Sequence, residues 1–316
     1  MEHEKISVII PARNEESEIR NAIDSVFKNK YENVEIVVVN DGSTDKTAEI
    51  VEDYMKKHEN ITLVNFKEGH SAAFARNRGA EKAKGEILVF LDADTPFSNN
   101  FLKEINQDFK NHEIDGIGND KQNTSTNFLS KLLCLLAYRS PLLAKMKKGA
   151  IVEKNVSFNV FVIRKKAFLE LGKFNEKIFY YEDTELTERF FEKGYKAIWN
   201  PDIIFYSAQP DTLKDFYRQY KWSGKGISTI ENKKDRMKKA LYNFLKIGFI
   251  VIPFIMLFFN LILGLYLLGT AYIITYLYSV RASKSPFYSI FIVPIMYIKN
   301  FFELYNLILF TLFKKK

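Results

Sequence analysis

The chain has 316 residues, of which 47% are hydrophobic, 15% aromatic and 27% charged, and its formal net charge is +8. This composition suits a folded core and excludes a mostly disordered chain. A single cysteine, Cys134, excludes an internal disulfide framework and a metal site built from several cysteines. The four histidines show no metal-ligand spacing, and the charged start MEHEK predicts no signal peptide.

The positive charge is concentrated in the C-terminal part of the chain. Residues 1–231 carry 34 basic and 36 acidic side chains, whereas residues 232–316 carry 12 basic and two acidic ones. A basic face on a folded domain is therefore not indicated, and we expect no nucleic-acid partner. Basic residues that flank apolar segments are typical of the cytoplasmic rim of a membrane protein.

In chain order, the first predicted elements are short strands that alternate with helical patterns. The strands are predicted at Ser7–Pro11, Val34–Asn40, Ile61–Phe66 and Glu86–Leu91. This alternation predicts βαβ units, and hence an α/β fold with a mainly parallel sheet. Ligands of such sheets bind at the carboxyl ends of the strands. The glycine patterns of a Rossmann dinucleotide site and of a P-loop are both lacking.

Polar residues follow several of these strands, and each allows two interpretations. Arg13 and Glu15 either start a helix or contact a nucleotide. Asp41, in VVVNDGSTD, either shapes a turn or faces a base or ribose. Asp92 and Asp94 form either an ordinary acidic turn or a site for Mg²⁺ or Mn²⁺ shared with substrate phosphates.

Two later segments carry further candidates. Arg76, in GHSAAFARNRG, is either a solvated helix residue or a clamp on a nucleotide. Glu182 and Asp183 open the predicted helix EDTELTERFFEKG. They either favour its N-terminal dipole or supply a general base that faces an acceptor hydroxyl.

The last predicted elements are apolar. Residues 247–280 run for 34 positions without a charged side chain, whereas one membrane-spanning helix needs about 20. Gly264 and Gly269 stand where a tight turn could form, so we predict a membrane hairpin over 247–280. A second apolar stretch, 287–313, is interrupted by two charges and is predicted as a third span, a re-entrant segment or an interfacial helix.

Taken together, the N-terminal segments resemble a known family. SVIIPARNEE, VVVNDGSTDKT, ARNRGAEKAKGEILVFLDADT and YYEDTELTERFFEKGYKAIWNP, in this order, are similar to the motifs of family 2 glycosyltransferases, over roughly residues 5–230. The resemblance implies a GT-A fold and inverting transfer from a nucleotide-diphosphate sugar, with a UDP-sugar as the expected donor. Asn40 departs from it, because the family usually has aspartate at this position.

The resemblance also implies roles for particular residues. Asp183 would be the catalytic base, and Asp94 with Asp92 would bind Mg²⁺ or Mn²⁺. The implied substrate-binding residues are Pro11, Arg13, Glu15, Asp41, Arg76, Asp92, Glu182, Lys221 and Trp222.

One segment bears on how many sugars are added. Processive members of the family carry QxxRW, whereas this chain has Arg218 and Lys221 at the first and fourth positions of that pattern. Lysine can meet a phosphate as a point charge but not through two parallel hydrogen bonds. We therefore expect transfer of one sugar.

Three regions are predicted: a GT-A catalytic domain, a basic juxtamembrane linker and a membrane region, at 1–230, 231–246 and 247–316. The tail predicts a multi-pass protein of the cell membrane that contacts membrane lipids, with its catalytic domain in the cytoplasm. Its acceptor is expected to be a lipid or a lipid-linked glycan in cell-surface glycan synthesis. The alternatives are a polyprenyl-phosphate glycosyltransferase, similar to dolichyl-phosphate-sugar synthases, and a nucleotidyltransferase-like membrane enzyme.

Overall fold

The computed structural model describes most of the chain, and its residues fall into two compact units. The first unit comprises Met1–Thr124 and Met146–Ala208, and the second comprises Ser125–Lys145 and Gln209–Lys316. The described residues are 4–124, 127–137, 146–152, 161–178, 181–207, 209–228, 237, 241, 244–245, 252, 261–283 and 286–312.

Among the described residues, eight strands form one sheet in the first unit. They are β1 (Ile6–Ala12), β2 (Val34–Asp41), β3 (Ile61–Phe66), β4 (Ile87–Phe90), β5 (Gly116–Asn123), β6 (Ala150–Val152), β7 (Phe161–Arg164) and β8 (Ala197–Ser207). The strand order is β3-β2-β1-β4-β7-β5-β8-β6. Strands β1 to β4 are mutually parallel, as are β5 and β8, whereas β6 and β7 run antiparallel to their neighbours. The predicted α/β fold is confirmed.

Helices cover the first unit's sheet and build the second unit. In the first unit they are α1 (Ile19–Lys28), α2 (Thr47–Met55), α3 (Ala72–Lys82), α4 (Phe101–Asn111), α6 (Lys165–Glu170) and α7 (Glu182–Glu192). In the second unit they are α5 (Phe128–Ala137), α8 (Leu213–Ser228), α9 (Leu261–Ser283) and α10 (Pro286–Leu312).

The middle of the parallel sheet explains the apolar runs in the sequence. Strand β1 lies between β2 and β4, with Ile9 opposite Val37 on one side and Phe90 on the other. All but one of its seven side chains are buried, as expected of a parallel strand covered on both faces. The carboxyl ends of β1, β2 and β4 consequently meet at one edge of the sheet, where the loops that follow them come together.

The second unit has a small core of its own. Phe216 and Tyr220 of α8 are buried together with Leu133 of α5, and Phe302 of α10 packs against them. Ring centroids of Phe216 and Phe302 lie 6.1 Å apart. The ammonium of Lys299 lies 5.2 Å from the centre of the Tyr220 ring, so this cation has a favourable partner on an otherwise apolar helix.

This grouping differs from the predicted regions. We predicted one catalytic domain over 1–230, but the structure groups α5 and α8 with the C-terminal helices. The physical reason is that the apolar face of α8 packs on α10, a pairing of segments about 85 residues apart that helical periodicity alone does not reveal. The extent of the catalytic domain in functional terms stays a prediction.

One helical stretch among the described residues, Leu261–Val280 in α9, is long and apolar enough to cross a membrane by its length and composition. Gly264 and Gly269 lie inside this continuous helix, so the turn expected at these glycines is wrong. A glycine inside a helix lowers helix stability by only about 1 kcal/mol relative to alanine. The helix is otherwise rich in leucine and tyrosine and continues through both glycines. The rest of the predicted hairpin, 247–260, lies outside the described residues except for Ile252.

Helix α10 is less suited to a membrane span. Its apolar stretch Ser289–Lys299 ends at a lysine and is shorter than a span requires, and Glu303 follows within the same helix. Its contacts with α8 and α5 give it a role in packing the second unit. Within the described part of the chain, a third span at 287–313 is therefore not supported.

The core of the second unit predicts the effect of one substitution. Phe302→Ala should lower the free energy of unfolding by about 1–3 kcal/mol, since it removes a partly buried ring from the α8 contact. Tyr305→Ala, on the same helix but 48% exposed, is the matched control and should change it much less. Thermal unfolding in detergent measures the stability of both variants. An equal loss of stability in Phe302→Ala and Tyr305→Ala would contradict the packing described.

Candidate active site

A largely buried arginine joins two segments at the carboxyl edge of the sheet. Arg76, on α3, donates to Asp92 Oδ1 at 2.6 Å and to Glu182 Oε1 at 2.5 Å, and only 12% of its side chain is exposed. Burial opposes its charge, but the two carboxylates outweigh burial and raise the pKa of Arg76 above its ordinary value. Arg76 therefore stays a cation, and it ties the loop after β4 to the start of α7.

Asp183 lies at the N-terminus of α7. Tyr181, just before that helix, adopts a left-handed backbone with φ 69°, a conformation that costs free energy for a residue other than glycine. Burial raises the pKa of Asp183, and the negative charge of Glu182 adds to the effect, whereas the backbone N–H of Thr184 and the charge of Arg76 oppose it. Asp183 is thus a carboxylate of increased basicity whose ionisation Arg76 supports.

Glu15, after β1, lies near several other carboxylates. Burial raises its pKa to about 7, and the charges of Asp94, Glu18 and Asp92 add to this effect, in that order. Asp94 itself is exposed. Arg76 neutralises Asp92 through an ion pair, whereas the charge of Asp94 acts on Glu15 as repulsion.

This chemistry fits a hard divalent cation that is shared with a ligand. Mg²⁺ is usually held by one or two carboxylates together with substrate phosphates, and Asp92 and Asp94 offer two. In the described part of the chain, no group of three or more His, Cys, Asp or Glu side chains is arranged to hold a metal. Asp92 and Asp94 are thus candidates for holding an ion that is shared with a ligand.

Reciprocal hydrogen bonds fix the loops after β1 and β2 against each other. The backbone N–H of Asn14 donates to Ser43 Oγ at 2.9 Å, and that of Thr44 donates to Asn14 Oδ1 at 2.8 Å. The backbone N–H of Glu15 donates to Thr47 Oγ1 at 2.8 Å. Asn14 has φ 58°, a left-handed conformation that asparagine tolerates better than most residues. Together these bonds hold Glu15 in place.

Two glycines let the loop after β3 close onto the same edge. A Cβ atom at Gly42 would lie 2.5 Å from the backbone nitrogen of Gly69, and Gly42 has φ +70°. A Cβ atom at Gly69 would lie 2.2 Å from the guanidinium carbon of Arg13. At Gly42 the positive φ and the backbone contact require glycine, whereas a side chain at Gly69 would have to displace the guanidinium of Arg13. The loop continues from Gly69 into a residue that meets the end of β2.

That next residue, His70, binds Asp41. Its backbone N–H donates to Asp41 Oδ2 at 2.8 Å, and its Nδ1 lies 3.0 Å from Asp41 Oδ1. Sequence reasoning missed His70 as a site residue, although it follows a strand that ends at the same edge as Asp41. Asn40 has a structural role here: it is buried, and its side chain donates to Asn65 Oδ1 at 2.7 Å.

The remaining predicted residues are Pro11, Lys221 and Trp222. Pro11 is half-buried within β1, opposite Val39. Lys221 is exposed on α8, in the second unit, and the side chain of Trp222 lies outside the described part of the chain. The structure thus brings together Arg76, Asp92, Glu182 and Asp183, and separately Asp41 and His70. The roles of all these residues in binding and catalysis stay predictions.

Comparisons with a family model and with curated relatives agree on one protein family. The family model of glycosyl transferase family 2 matches residues 7–172. The chain is 26% identical over 326 residues to the probable glycosyltransferase YdaM of Bacillus subtilis, covering 98% of this chain and 74% of the relative. It is 27% identical over 231 residues to the poly-β-1,6-N-acetyl-D-glucosamine synthase of Staphylococcus epidermidis, covering 71% and 55%. The chain thus spans about half the length of several curated relatives that it matches.

Solved structures share the fold. The mannosyltransferase PcManGT from Pyrobaculum calidifontis, in complex with GDP-Man and Mn²⁺, is 18% identical with a TM-score of 0.65, covering 100% of this chain and 89% of that one. Residues 1–349 of Staphylococcus aureus TarS, in complex with UDP-GlcNAc, are 18% identical with a TM-score of 0.58, covering 96% and 89%. These likenesses confirm the expected GT-A-like fold.

The raised pKa of Glu15 predicts a pH effect on stability. Between the ordinary pKa of 4.5 and about 7, the folded state holds a proton that the unfolded state releases. This contribution to stability is therefore lost as pH rises through that window. Glu15→Gln should remove it, so that the variant gains thermal stability relative to wild type between pH 5 and pH 8.

The control is Glu59→Gln, in an exposed turn, measured by thermal unfolding without added divalent cations. An equal difference between wild type and Glu15→Gln at both pH values would contradict the electrostatic environment described for Glu15.

Proposed function

Since the chain belongs to glycosyltransferase family 2, we propose that this glycosyltransferase is an inverting enzyme that moves one sugar from a nucleotide-diphosphate sugar to a membrane-associated acceptor. A UDP-sugar is the proposed donor, and a lipid-linked saccharide in cell-surface glycan synthesis is the proposed acceptor. The observation that carries the proposal is the bridge from Arg76 to Asp92 and Glu182, because it links a carboxylate suited to the donor to the helix that carries Asp183.

The proposed reaction is a single displacement. The carboxylate of Asp183 takes the proton from an acceptor hydroxyl while that oxygen attacks the anomeric carbon from the face opposite the diphosphate. The bond between the sugar and the diphosphate breaks, the nucleoside diphosphate leaves, and the configuration inverts. The raised pKa of Asp183 favours this role, since a base is more effective when its pKa approaches the working pH.

Asp94 and Asp92 would hold Mg²⁺ or Mn²⁺ on the diphosphate side. A divalent ion supplies charge neutralisation of the leaving diphosphate when it is bound there. The negative potential that raises the pKa of Glu15 supports a cation at this place. Arg76, by holding Asp92 from the other side, fixes that carboxylate in position for the donor.

Two solved structures support a nucleotide-diphosphate sugar as the donor. TarS was solved with UDP-GlcNAc and the mannosyltransferase with GDP-Man and Mn²⁺, so proteins of this fold accept more than one base. Arg218 and Lys221 support transfer of one sugar, whereas the relatives named poly-N-acetylglucosamine synthases make polymer formation the alternative outcome of an assay.

The apolar helix α9 supports an acceptor at a bilayer. Its stretch Leu261–Val280 has the length and composition of a span, and the basic cluster at 233–239, which precedes the apolar stretch, favours a cytoplasmic position for the catalytic unit. We propose membrane attachment through this helix, with acceptor supplied at the cytoplasmic face.

The proposal is tested on the full-length protein in detergent or nanodiscs. Purified enzyme is incubated with UDP- and GDP-sugars, Mn²⁺ and a lipid extract, and products are resolved by mass spectrometry. We expect release of a nucleoside diphosphate and addition of a single sugar to a lipid-linked acceptor. Repeated addition would replace single transfer by polymerisation, and release of free diphosphate would contradict glycosyl transfer.

The first variant addresses the base. Asp183→Asn should keep donor binding and lower kcat by about 10²–10⁴-fold, the range expected for general base catalysis. A polyprenyl phosphate acceptor is already ionised and needs no base, so equal rates for wild type and variant on such an acceptor would favour the polyprenyl-phosphate alternative. A decrease below about tenfold on a hydroxyl acceptor would leave Asp183 with a structural role only.

The second variant addresses the electrostatic role of Arg76. Its positive charge lowers the pKa of Asp183, so Arg76→Gln should raise that pKa further. Because the base must be ionised, the acidic limb of the kcat/KM profile should move to higher pH. The matched control is Arg78→Gln. Arg78 is on the same helix as Arg76, but it pairs with Glu81 and Glu176 instead. An identical displacement in both variants would contradict a specific role of Arg76.

A further inference from the structure

The loop between α6 and α7 is attached to helix α3 next to Arg76. The buried side chain of Asn77 accepts from the backbone N–H of Phe174 at 3.0 Å and donates to the carbonyl oxygen of the same residue at 2.9 Å. It also donates to Glu176 Oε1 at 2.9 Å. Both backbone polar groups of Phe174 are thus bound by the residue that directly follows Arg76 in α3.

The ring of Phe174 supports the guanidinium of Arg76. The guanidinium carbon lies over the ring at 5.6 Å from its centroid, within the range of about 6 Å for a cation–π contact. A guanidinium donates hydrogen bonds in its own plane, and Arg76 uses that plane to bind Asp92 and Glu182. Its flat face therefore remains for an aromatic ring.

Other aromatic rings fix Phe174 from the side of the sheet. Its ring centroid lies 5.1 Å from that of Phe90, 5.5 Å from that of Phe168 and 6.0 Å from that of Phe161. Phe90 is the last residue of β4, two positions before Asp92. Because closely packed interiors leave little space for a ring to move, Phe174 is a rigid support for the arginine above it.

We propose, resting on the proposed function, that Phe174 is a positioning residue for Arg76 and that Asn77 holds Phe174 in place. Neither Phe174 nor Asn77 contacts substrate in this proposal, since both act through the arginine. A bond network on α3 and an aromatic cluster on the sheet thus combine to set the direction of one guanidinium.

The proposed role follows from the flexibility of an arginine side chain. Without the ring beneath it, the guanidinium of Arg76 turns about its long side chain and keeps one of its two carboxylates rather than both. The bridge between Asp92 and Glu182 then opens. Asp183, which directly follows Glu182, is no longer held at a fixed place relative to the loop after β4.

The loop has a separate attachment to α7. Arg189 of that helix donates to the carbonyl oxygens of Leu171 and Lys173 and pairs with Glu185 on its own helix. These bonds do not involve the ring of Phe174. Removal of the ring therefore tests its contact with the arginine rather than the attachment of the whole loop.

The test is a double-mutant cycle on full-length protein in detergent at fixed pH. Phe174→Leu keeps an apolar side chain but removes the ring face. We measure kcat and KM for Phe174→Leu, Arg76→Gln and the double variant, with UDP-GlcNAc or GDP-Man, Mn²⁺ and a lipid extract. Phe174→Leu should lower kcat/KM by about tenfold, the size of a desolvated cation–π contact.

Two further results distinguish positioning from a structural role. Phe174→Leu should divide its effect between kcat and KM as Arg76→Gln does. In the Arg76→Gln background it should have no additional effect on kcat/KM, because the group that the ring positions is already absent.

The matched control is Phe168→Leu. Phe168 is buried in the same aromatic cluster, where its ring packs on Phe90 and Phe174. Its substitution should lower thermal stability about as much as Phe174→Leu does, but it should leave kcat/KM within about twofold of wild type.

Asn77→Ala is a second variant that leaves the ring itself unchanged. It removes both bonds to the Phe174 backbone, so it should lower kcat/KM and show no additional effect in the Arg76→Gln background. Its control is Asn106→Ala, since Asn106 is also buried and also accepts from a backbone N–H, that of Glu4. Should Phe174→Leu not fold, Asn77→Ala carries the same test.

The outcomes separate the two proposals. Additive effects of Phe174→Leu and Arg76→Gln on kcat/KM, or an equal loss in Phe174→Leu and Phe168→Leu, would overturn the inference while the proposed function stands. If wild type transfers no sugar, the proposed function fails, and the catalytic part of the inference fails with it. The same cycle measured by thermal unfolding needs no substrate, and a lack of coupling there would refute the contact itself.

Discussion

The charge of Arg76 is the constraint on which the candidate site depends. Three carboxylates, Asp92, Glu182 and Asp183, lie where the loop after β4 meets the start of α7, and the cation of Arg76 offsets their mutual repulsion. A guanidinium can hold two carboxylates at once in a fixed geometry. Burial strengthens these interactions because water competes for them less. The loop after β4 and the start of α7 are held together by this one side chain.

The charges at this edge are distributed unevenly. Arg76 compensates Asp92 and Glu182, whereas Glu15 lies in the field of the negative charges of Asp94, Glu18 and Asp92. A site with this asymmetry favours a cation that arrives with its own anionic ligand, because neither Asp92 nor Asp94 alone provides enough ligands.

Much of this arrangement could be predicted from the sequence, and the limits have a physical cause. Strands β1 to β4 were predicted to within one or two residues, because buried parallel strands produce continuous apolar runs between helical patterns. The candidate site residues at the strand ends were predictable because the carboxyl ends of parallel strands lie at the same edge of the sheet. What each side chain contacts was not predictable, because Arg76 and Glu182 are 106 residues apart. His70 was missed for the same reason, as its partner lies 29 residues earlier. The packing of α8 on α10 was also missed, because an apolar face does not identify its partner.

The reciprocal bonds between the loops after β1 and β2 have a further consequence. Each loop supplies acceptors for the other's backbone N–H groups, so neither conformation depends on a bound ligand. Ordering a flexible loop costs about 1–2 kcal/mol of conformational entropy per residue, and here folding has already met that cost. Where this edge binds the donor, as proposed, the affinity for a nucleotide reflects the contacts made rather than the entropy of assembling the loops.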